Sequence, residues 1–200
     1  MTDVSERFER DTATHEMTVL HDDGLYRHLR FKRPDRGAYW FDLITWPGAL
    51  TVNGDCGTFT ITRLDDMFEF FRGSRINPDY WSEKVRAGET RRYSLDLFRQ
   101  QIAEEAKAAE SEYPGLAAAV EERIFGQWAE WNTDHEGGAF EALAEFRYEV
   151  KGREGFTEPF TFGDLCDYSF QDYDWQFLWC CHAIQYGIAQ YDKQKVPADA

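Results

Sequence analysis

Closely spaced turns divide residues 17–62 into five short segments in which apolar and polar residues alternate. A period of two is that of a β-strand, and connections of only a few residues favour antiparallel pairing. Asp22-Asp23-Gly24 supplies the positive φ that a tight hairpin turn requires, and Pro47-Gly48 marks another turn. The predicted strands are 17–21, 25–33, 39–46, 49–52 and 58–62. The sequence therefore predicts an antiparallel meander.

Helical periodicity replaces this alternation after residue 62. Thr62 and Asp65 have the spacing of a capping box, and they predict a helix that ends near Gly73 and covers one face of the sheet. Apolar stripes at intervals of three to four residues predict further helices within 95–106, 116–131 and 138–150. The last helix, 172–191, is apolar on most of its circumference, which is typical of a helix inside a core.

These patterns predict an α+β protein. An N-terminal antiparallel β-meander covered by a helix is followed by a mainly α-helical acidic half with a buried C-terminal helix. Residues 1–74 form the sheet and its helix, residues 75–93 a linker or loop, and residues 94–200 a helical subdomain that packs on the sheet in one compact unit. The boundary is placed at 75–93 because Asn77-Pro78 and Gly88 interrupt any periodic pattern.

The net charge of −15 is concentrated in the second half of the chain. Residues 1–100 carry 17 acidic and 15 basic side chains, whereas residues 101–200 carry 20 acidic and 7 basic ones. Such an acidic surface repels nucleic acid and favours a basic partner. A solvated face that only keeps the protein soluble is the alternative interpretation.

The carboxylates within 104–145 that lie off the apolar stripes are the candidate contacts for a basic partner. They are Glu104, Glu105, Glu110, Glu112, Glu121, Glu122, Asp134, Glu136, Glu141 and Glu145.

The cysteine content indicates a reducing compartment. Four cysteines are too few for a disulfide scaffold in a chain of 200 residues, and residues 1–10 are too polar for a secretory signal. No run of residues is long and apolar enough for a bilayer span. We therefore expect a cytoplasmic protein with reduced thiols and no membrane partner.

Neither a metal nor a cofactor is predicted. Cys180, Cys181 and His182 are consecutive, and neighbouring side chains on a helix point about 100° apart, which disfavours one tetrahedral metal site. Asp134-His135-Glu136 is followed by two glycines, as in a polar loop. The sequence contains no phosphate-binding glycine loop and no dinucleotide-binding fingerprint.

Two other functions stay open as alternatives. Cys56 lies in a glycine-rich turn, where an exposed thiolate assisted by His28 would be a catalytic nucleophile. Strand 25–33 and the residues after it carry a basic patch that would suit a regulatory DNA-binding protein: His28, Arg30, Lys32, Arg33 and Arg36, with Tyr26 and Tyr39 as stacking partners. Direct nucleic-acid binding is nevertheless not expected, because the acidic total opposes an approach to phosphates.

Six segments, spread over most of the chain, carry a resemblance to a known group of proteins. They are FERDT at 8–12, DDGLYRHLRFK at 22–32, WFDLITWPG at 40–48, GDCGTF at 54–59, DMFEFF at 66–71 and FLWCC at 177–181. Together they resemble a family of hypothetical proteins encoded by bacteriophages and prophages. The resemblance brings no catalytic residues with it. It implies a phage protein in a bacterial cell, where small acidic proteins without cofactors often inhibit host defence, some by presenting carboxylates in place of DNA phosphates.

The expected function is therefore that of a phage-encoded, non-enzymatic binding protein. Its acidic half would dock on the basic surface of a host protein or nucleoprotein complex that handles nucleic acid or serves in defence, as anti-CRISPR and anti-restriction proteins do. The sequence indicates neither the identity of that complex nor the oligomeric state.

Overall fold

The computed structural model describes residues 4–35, 37–73, 75–150 and 158–195. It confirms an α+β protein with an N-terminal antiparallel sheet and a C-terminal helix. The chain divides into two compact units. The sheet unit comprises Met1–Arg91 together with Tyr173–Ala200, and the helical unit comprises Arg92–Asp172.

Within the described residues, six strands of the sheet unit form one antiparallel meander in chain order. They are β1 (Glu16–Asp23), β2 (Tyr26–Lys32), β3 (Phe41–Trp46), β4 (Ala49–Gly54), β5 (Gly57–Thr62) and β6 (Val85–Ala87). The register places Leu29 opposite Leu43, Leu43 opposite Val52 and Val52 opposite Phe59. Because paired residues share a face, this row fills the inner face of the sheet with buried apolar side chains.

Three helices supply most of the remaining core of the sheet unit: α1 (Val4–Thr12), α2 (Met67–Phe71) and α7 (Trp175–Lys195). Phe177, Trp179 and Ile184 of α7 are buried, as the apolar circumference predicted. Gly187 permits the close approach of α7, since a Cβ there would lie 3.1 Å from Cε2 of Phe31 and would also meet Leu43. The C-terminal helix, predicted as part of a helical subdomain 94–200, therefore completes the core of the sheet unit.

Two local predictions are wrong. The helix after β5 is capped by Asp66, which accepts a hydrogen bond from Phe68 N, whereas Thr62 ends β5. The predicted linker 75–93 contains a helix, α3 (Pro78–Ser82), and strand β6. Asn77 caps α3 by accepting a hydrogen bond from Tyr80 N, and proline suits the first turn of a helix, so Asn-Pro begins a helix here.

The helical unit is built from short helices around its own apolar cluster. They are α4 (Leu95–Ala109), α5 (Leu116–Val120), a π-helix (Glu121–Phe125), α6 (Glu136–Glu145) and a 3-10 helix (Leu165–Asp167). Phe98, Ile102, Leu116, Val120 and Ile124 are buried on the predicted stripes. Two further strands, β7 (Arg91–Tyr93) and β8 (Gln171–Tyr173), pair with each other in a separate two-stranded sheet. None of the helices in the described ranges is long and apolar enough to cross a membrane.

Candidate functional site

The negative charge belongs mainly to the helical unit. Its sequence carries 18 acidic and 7 basic side chains, a net charge of −11, whereas the longer sheet unit carries 19 acidic and 15 basic ones, a net charge of −4. A net charge of this size in a small unit creates a negative potential that attracts basic surfaces over several ångströms. The predicted acidic surface therefore belongs to the helical unit.

Half of the ten predicted contact residues form hydrogen bonds within the helical unit. Glu105 accepts a hydrogen bond from Tyr168 Oη at 2.8 Å, and Glu110 accepts two from the backbone N–H groups of Gly115 and Ala117, which lower the pKa of its carboxyl. The other carboxylates with a structural partner are Glu104 with Gln100, Glu136 with Gln171 and Glu145 with Trp131. Glu112 also has a partner within the structure. Six of the ten carboxylates therefore already have partners within the structure.

Four of the ten are exposed and directed outward: Glu121, Glu122, Asp134 and Glu141. Within the part of the chain that the structure describes, their carboxylates form no hydrogen bond and no ion pair. Glu121 and Glu122 begin the π-helix, a conformation that is rare and frequent at functional sites. These four carboxylates are available to a partner.

An exposed indole lies close to one of these carboxylates, Glu122. Trp128 was predicted on an apolar stripe, but the helix ends at Phe125 and leaves its side chain 87% exposed. It lines a cavity of about 260 Å³ with Glu122 and Gln127. The loop is held in place because Arg123 Nε and Nη2 donate to Glu130 at 2.6 and 3.0 Å. Sequence reasoning missed Trp128 as a surface residue, since its spacing continues the stripe of a helix that has already ended.

The structure does not bring Cys56 and His28 together. Cys56 is 2% exposed and belongs to the core on the inner face of the sheet, where burial raises the pKa of its thiol to about 12. His28 lies on the other face of β2, with Nε2 2.9 Å from Oδ2 of Asp42. Because the two side chains lie on different faces of the sheet, they lack the geometry of a nucleophile and its base. A thiol with such a pKa is also not a thiolate at neutral pH.

Thiol reactivity tests this assignment. We expect Cys166, which is exposed, to react rapidly with Ellman's reagent in the native protein, because thiolates react only where the reagent reaches them. Cys56, Cys180 and Cys181 are buried and should react only after unfolding in guanidinium. Cys166→Ser should remove the rapid phase. A rapid phase that persists in Cys166→Ser and is lost in Cys56→Ser would favour the enzyme interpretation instead.

The possible metal ligands have other roles. Among the described residues, no group of three or more His, Cys, Asp or Glu side chains is placed to hold a metal ion. His135 caps α6, since its Nδ1 accepts a hydrogen bond from Gly138 N at 3.0 Å. Cys180 and Cys181 are buried in the core of the sheet unit.

The basic patch of the predicted DNA-binding strand is organised by an aspartate. Arg30 donates through Nε and Nη2 to the two oxygens of Asp42, both at 2.8 Å, and His28 approaches the same carboxylate. Asp42 is only 3% exposed. Burial opposes its ionisation, but the contacts with Arg30 and His28 outweigh this and hold the pKa of Asp42 below its ordinary value. Arg36, also predicted in this patch, lies outside the described residues.

Comparison of the chain with protein-family models, with curated protein sequences and with solved structures finds no match.

Proposed function

We propose that this protein is a non-enzymatic binding protein whose helical unit docks on a basic surface of its partner. The observation that carries the proposal is a set of four exposed carboxylates together with the exposed Trp128, which lines a cavity with one of them, Glu122, on a unit with a net charge of −11. Carboxylates committed to the fold have little freedom to meet a partner, whereas these four have no intramolecular bond to lose among the described residues.

The two kinds of side chain have different tasks in such an interface. Long-range attraction by the carboxylates accelerates encounter with a basic surface and rejects acidic ones. Exposed indoles are favoured as anchors, because they bury a large area and lose few rotamers on binding. Trp128 would supply affinity at the centre of the interface, and Glu121, Glu122 and Glu141 would supply orientation and association rate.

The nature of the partner follows from the charge and from the resemblance to phage proteins. Basic surfaces of high charge density belong mainly to proteins that bind nucleic acid. In a bacterial host the partner would be a nucleic-acid-handling or defence complex, and occupation of its basic surface would inhibit it, as anti-CRISPR and anti-restriction proteins do.

Charge reversal tests the proposal. A variant with Glu121→Lys, Glu122→Lys and Glu141→Lys should capture less of the partner from a bacterial lysate than the parent protein. With the captured partner purified, its association rate should fall by about tenfold or more at low salt, because electrostatic steering is worth at least that factor. Trp128→Ala should weaken the equilibrium binding by about thirtyfold, as expected for an anchor residue.

A matched control separates the surface from the total charge. Glu9, Glu69 and Glu89 are exposed acids of the sheet unit, and their reversal to lysine changes the net charge equally. This control should retain the parent's association rate within about twofold. An equal fall of the association rate in both triple variants, or an unchanged rate in both, would contradict docking through the helical unit.

A further inference from the structure

A strained segment of backbone lies at the edge of the basic patch of the sheet unit. Tyr39 has a φ of 60°, and it is the one non-glycine residue with positive φ in the described ranges. For a bulky aromatic residue this conformation is strained, and it persists only where the surroundings impose it. Strain of this kind is concentrated at binding and catalytic sites.

Hydrogen bonds fix this segment from both sides. Tyr39 N donates to Oδ2 of Asp55 at 2.6 Å, and the carbonyl of Tyr39 lies 2.9 Å from His15 Nε2. Asp55 N donates in turn to the carbonyl of Trp40 at 3.1 Å. Gly54 permits this contact, since any Cβ at that position would collide with the carbonyl of Trp40. The fold thus holds the backbone of Trp40 in one place at a conformational cost.

The indole of Trp40 forms one wall of a hollow of about 170 Å³. Among the residues that the structure describes, Arg30, Lys32 and Gly37 also line it. The guanidinium carbon of Arg30 lies 5.5 Å from the centre of the Trp40 ring. The hollow is smaller than the roughly 300–1,000 Å³ of a site for a drug-sized ligand, so it would enclose only part of a nucleotide-sized ligand and leave the rest exposed.

The two cations of the hollow differ in how they are held. Asp42 fixes the guanidinium of Arg30 through Nε and Nη2, which leaves the Nη1 edge for another acceptor. Lys32 is exposed, and its ammonium group has no hydrogen bond or ion pair with another residue that the structure describes. A buried carboxylate that orients an arginine is the kind of support that a binding site requires.

We propose that this hollow binds a single nucleotide. The base would stack on the indole of Trp40, and the phosphate would lie between Nη1 of Arg30 and Nζ of Lys32. A planar aromatic surface next to two cations, one fixed and one mobile, complements a base joined to a phosphate. Glu16, the cross-strand neighbour of Lys32, and Asp42, the partner of Arg30, offset the two cations, so the hollow has too little net positive charge to hold a run of phosphates. The site therefore favours a mononucleotide over a polynucleotide.

Calorimetric titration of the full chain with AMP, GMP, CMP and UMP tests the proposal, with inorganic phosphate and adenosine as part-ligands. At least one nucleotide should bind, and each part-ligand should bind about tenfold more weakly or not at all, because stacking and phosphate contact each supply about that factor. Lys32→Ala should weaken nucleotide binding about tenfold, and Trp40→Ala similarly. Trp40→Phe, which keeps an aromatic face and the packing, should retain most of the affinity. Arg86→Ala is the control, since Arg86 donates to Thr62 and does not line the hollow.

Three results would overturn the assignment. One is that no nucleotide binds at millimolar concentration. Another is that nucleotide binding is unchanged in both the Lys32→Ala and the Trp40→Ala proteins. The third is that an oligoadenylate binds more tightly than AMP with a steep dependence on salt, because this would identify a nucleic-acid strand, and not one nucleotide, as the ligand.

Discussion

Asp66→Ala is expected to lower the free energy of unfolding of the sheet unit by about 3–5 kcal/mol, the typical result of removing one partner of a buried ion pair. Arg27 lies on the inner face of β2 with only 9% of its side chain exposed. It donates to the two carboxylate oxygens of Asp66 at 2.8 and 3.0 Å, and its guanidinium lies over the ring of Phe68 at 4.6 Å. Without Asp66 the charge of Arg27 stays buried and uncompensated.

A second loss is included in this expectation. Oδ1 of Asp66 also accepts a hydrogen bond from Phe68 N at 2.9 Å, which caps α2. Loss of a cap costs about 1 kcal/mol, and a helix of five residues has little stability of its own. Met67, Phe68 and Phe71 of this helix are buried against the sheet, so fraying of α2 would also expose part of the core.

Chemical denaturation followed by circular dichroism measures the effect. Asp65→Ala is the matched control, because Asp65 is exposed and directly precedes Asp66. The free energy of unfolding of the Asp65→Ala protein should stay within about 0.5 kcal/mol of the parent value. Arg27→Met combined with Asp66→Ala should be more stable than Asp66→Ala alone, since the unpaired charge is removed with its partner. If Asp66→Ala does not fold, Asp66→Asn, which keeps a cap, provides the measurement. Equal stability of the Asp65 and Asp66 variants would contradict the role of the ion pair.

The same ion pair predicts the acid limb of the stability curve. Burial opposes ionisation of Asp66, but the hydrogen bonds from Arg27 and from Phe68 N outweigh it and lower the pKa of the carboxyl. A carboxyl whose pKa is lower in the folded than in the unfolded state stabilises the folded state. Its full contribution is present above the unfolded-state pKa of about 3.9, and it is lost as the pH falls through the folded-state pKa. The difference in the free energy of unfolding between the parent protein and the Asp66→Ala variant should therefore become smaller below about pH 4.

The meander and the buried C-terminal helix could be predicted because their signals are local. Strands β1 to β5 are each six or more residues long between short turns, and α7 is apolar on most of its circumference. Strand β6 has only three residues, too few to show a period, and it depends on pairing with β5. The place of α7 in the sheet unit depends on contacts between residues more than a hundred positions apart, such as Arg72 and Asp192. The periodicity of a sequence contains no information on contacts over such distances.

The same limit applies to the candidate surfaces. Helical periodicity correctly placed the acids off the apolar stripes, but it does not distinguish Glu105, which Tyr168 binds from 63 positions away, from Glu121, which is directed outward. Alternation placed Arg30 on the outer face of the sheet, yet Asp42 on the next strand is buried there, because Arg30 and His28 cover it. Side chains that bind one another across strands override the simple assignment of one buried and one exposed face.

Gly54→Ala should be the most damaging single-methyl change in the sheet, with a loss of about 2–3 kcal/mol in the free energy of unfolding. The new Cβ would lie 2.8 Å from Cα of Phe41 and would also collide with the carbonyl of Trp40. Both are backbone atoms, so no rotamer change relieves the contact, and the hydrogen bond from Asp55 N to that carbonyl must lengthen or break. Alanine in a strand would by itself stabilise by about 0.5–1 kcal/mol relative to glycine, which is less than the cost of the collision.

Gly37→Ala is the control that makes this test specific. Gly37 lies in the same part of the sheet unit and lines the hollow beside Trp40, but a Cβ there meets nothing within 4 Å. The free energy of unfolding of the Gly37→Ala protein should stay within about 0.5 kcal/mol of the parent value. The melting temperature of the Gly54→Ala protein should fall by several degrees. A Gly54→Ala protein as stable as Gly37→Ala would show that the segment 39–40 can move away at little cost. In that case the backbone of Trp40 is not held in place, and the hollow that it lines has no fixed wall on which a base could stack.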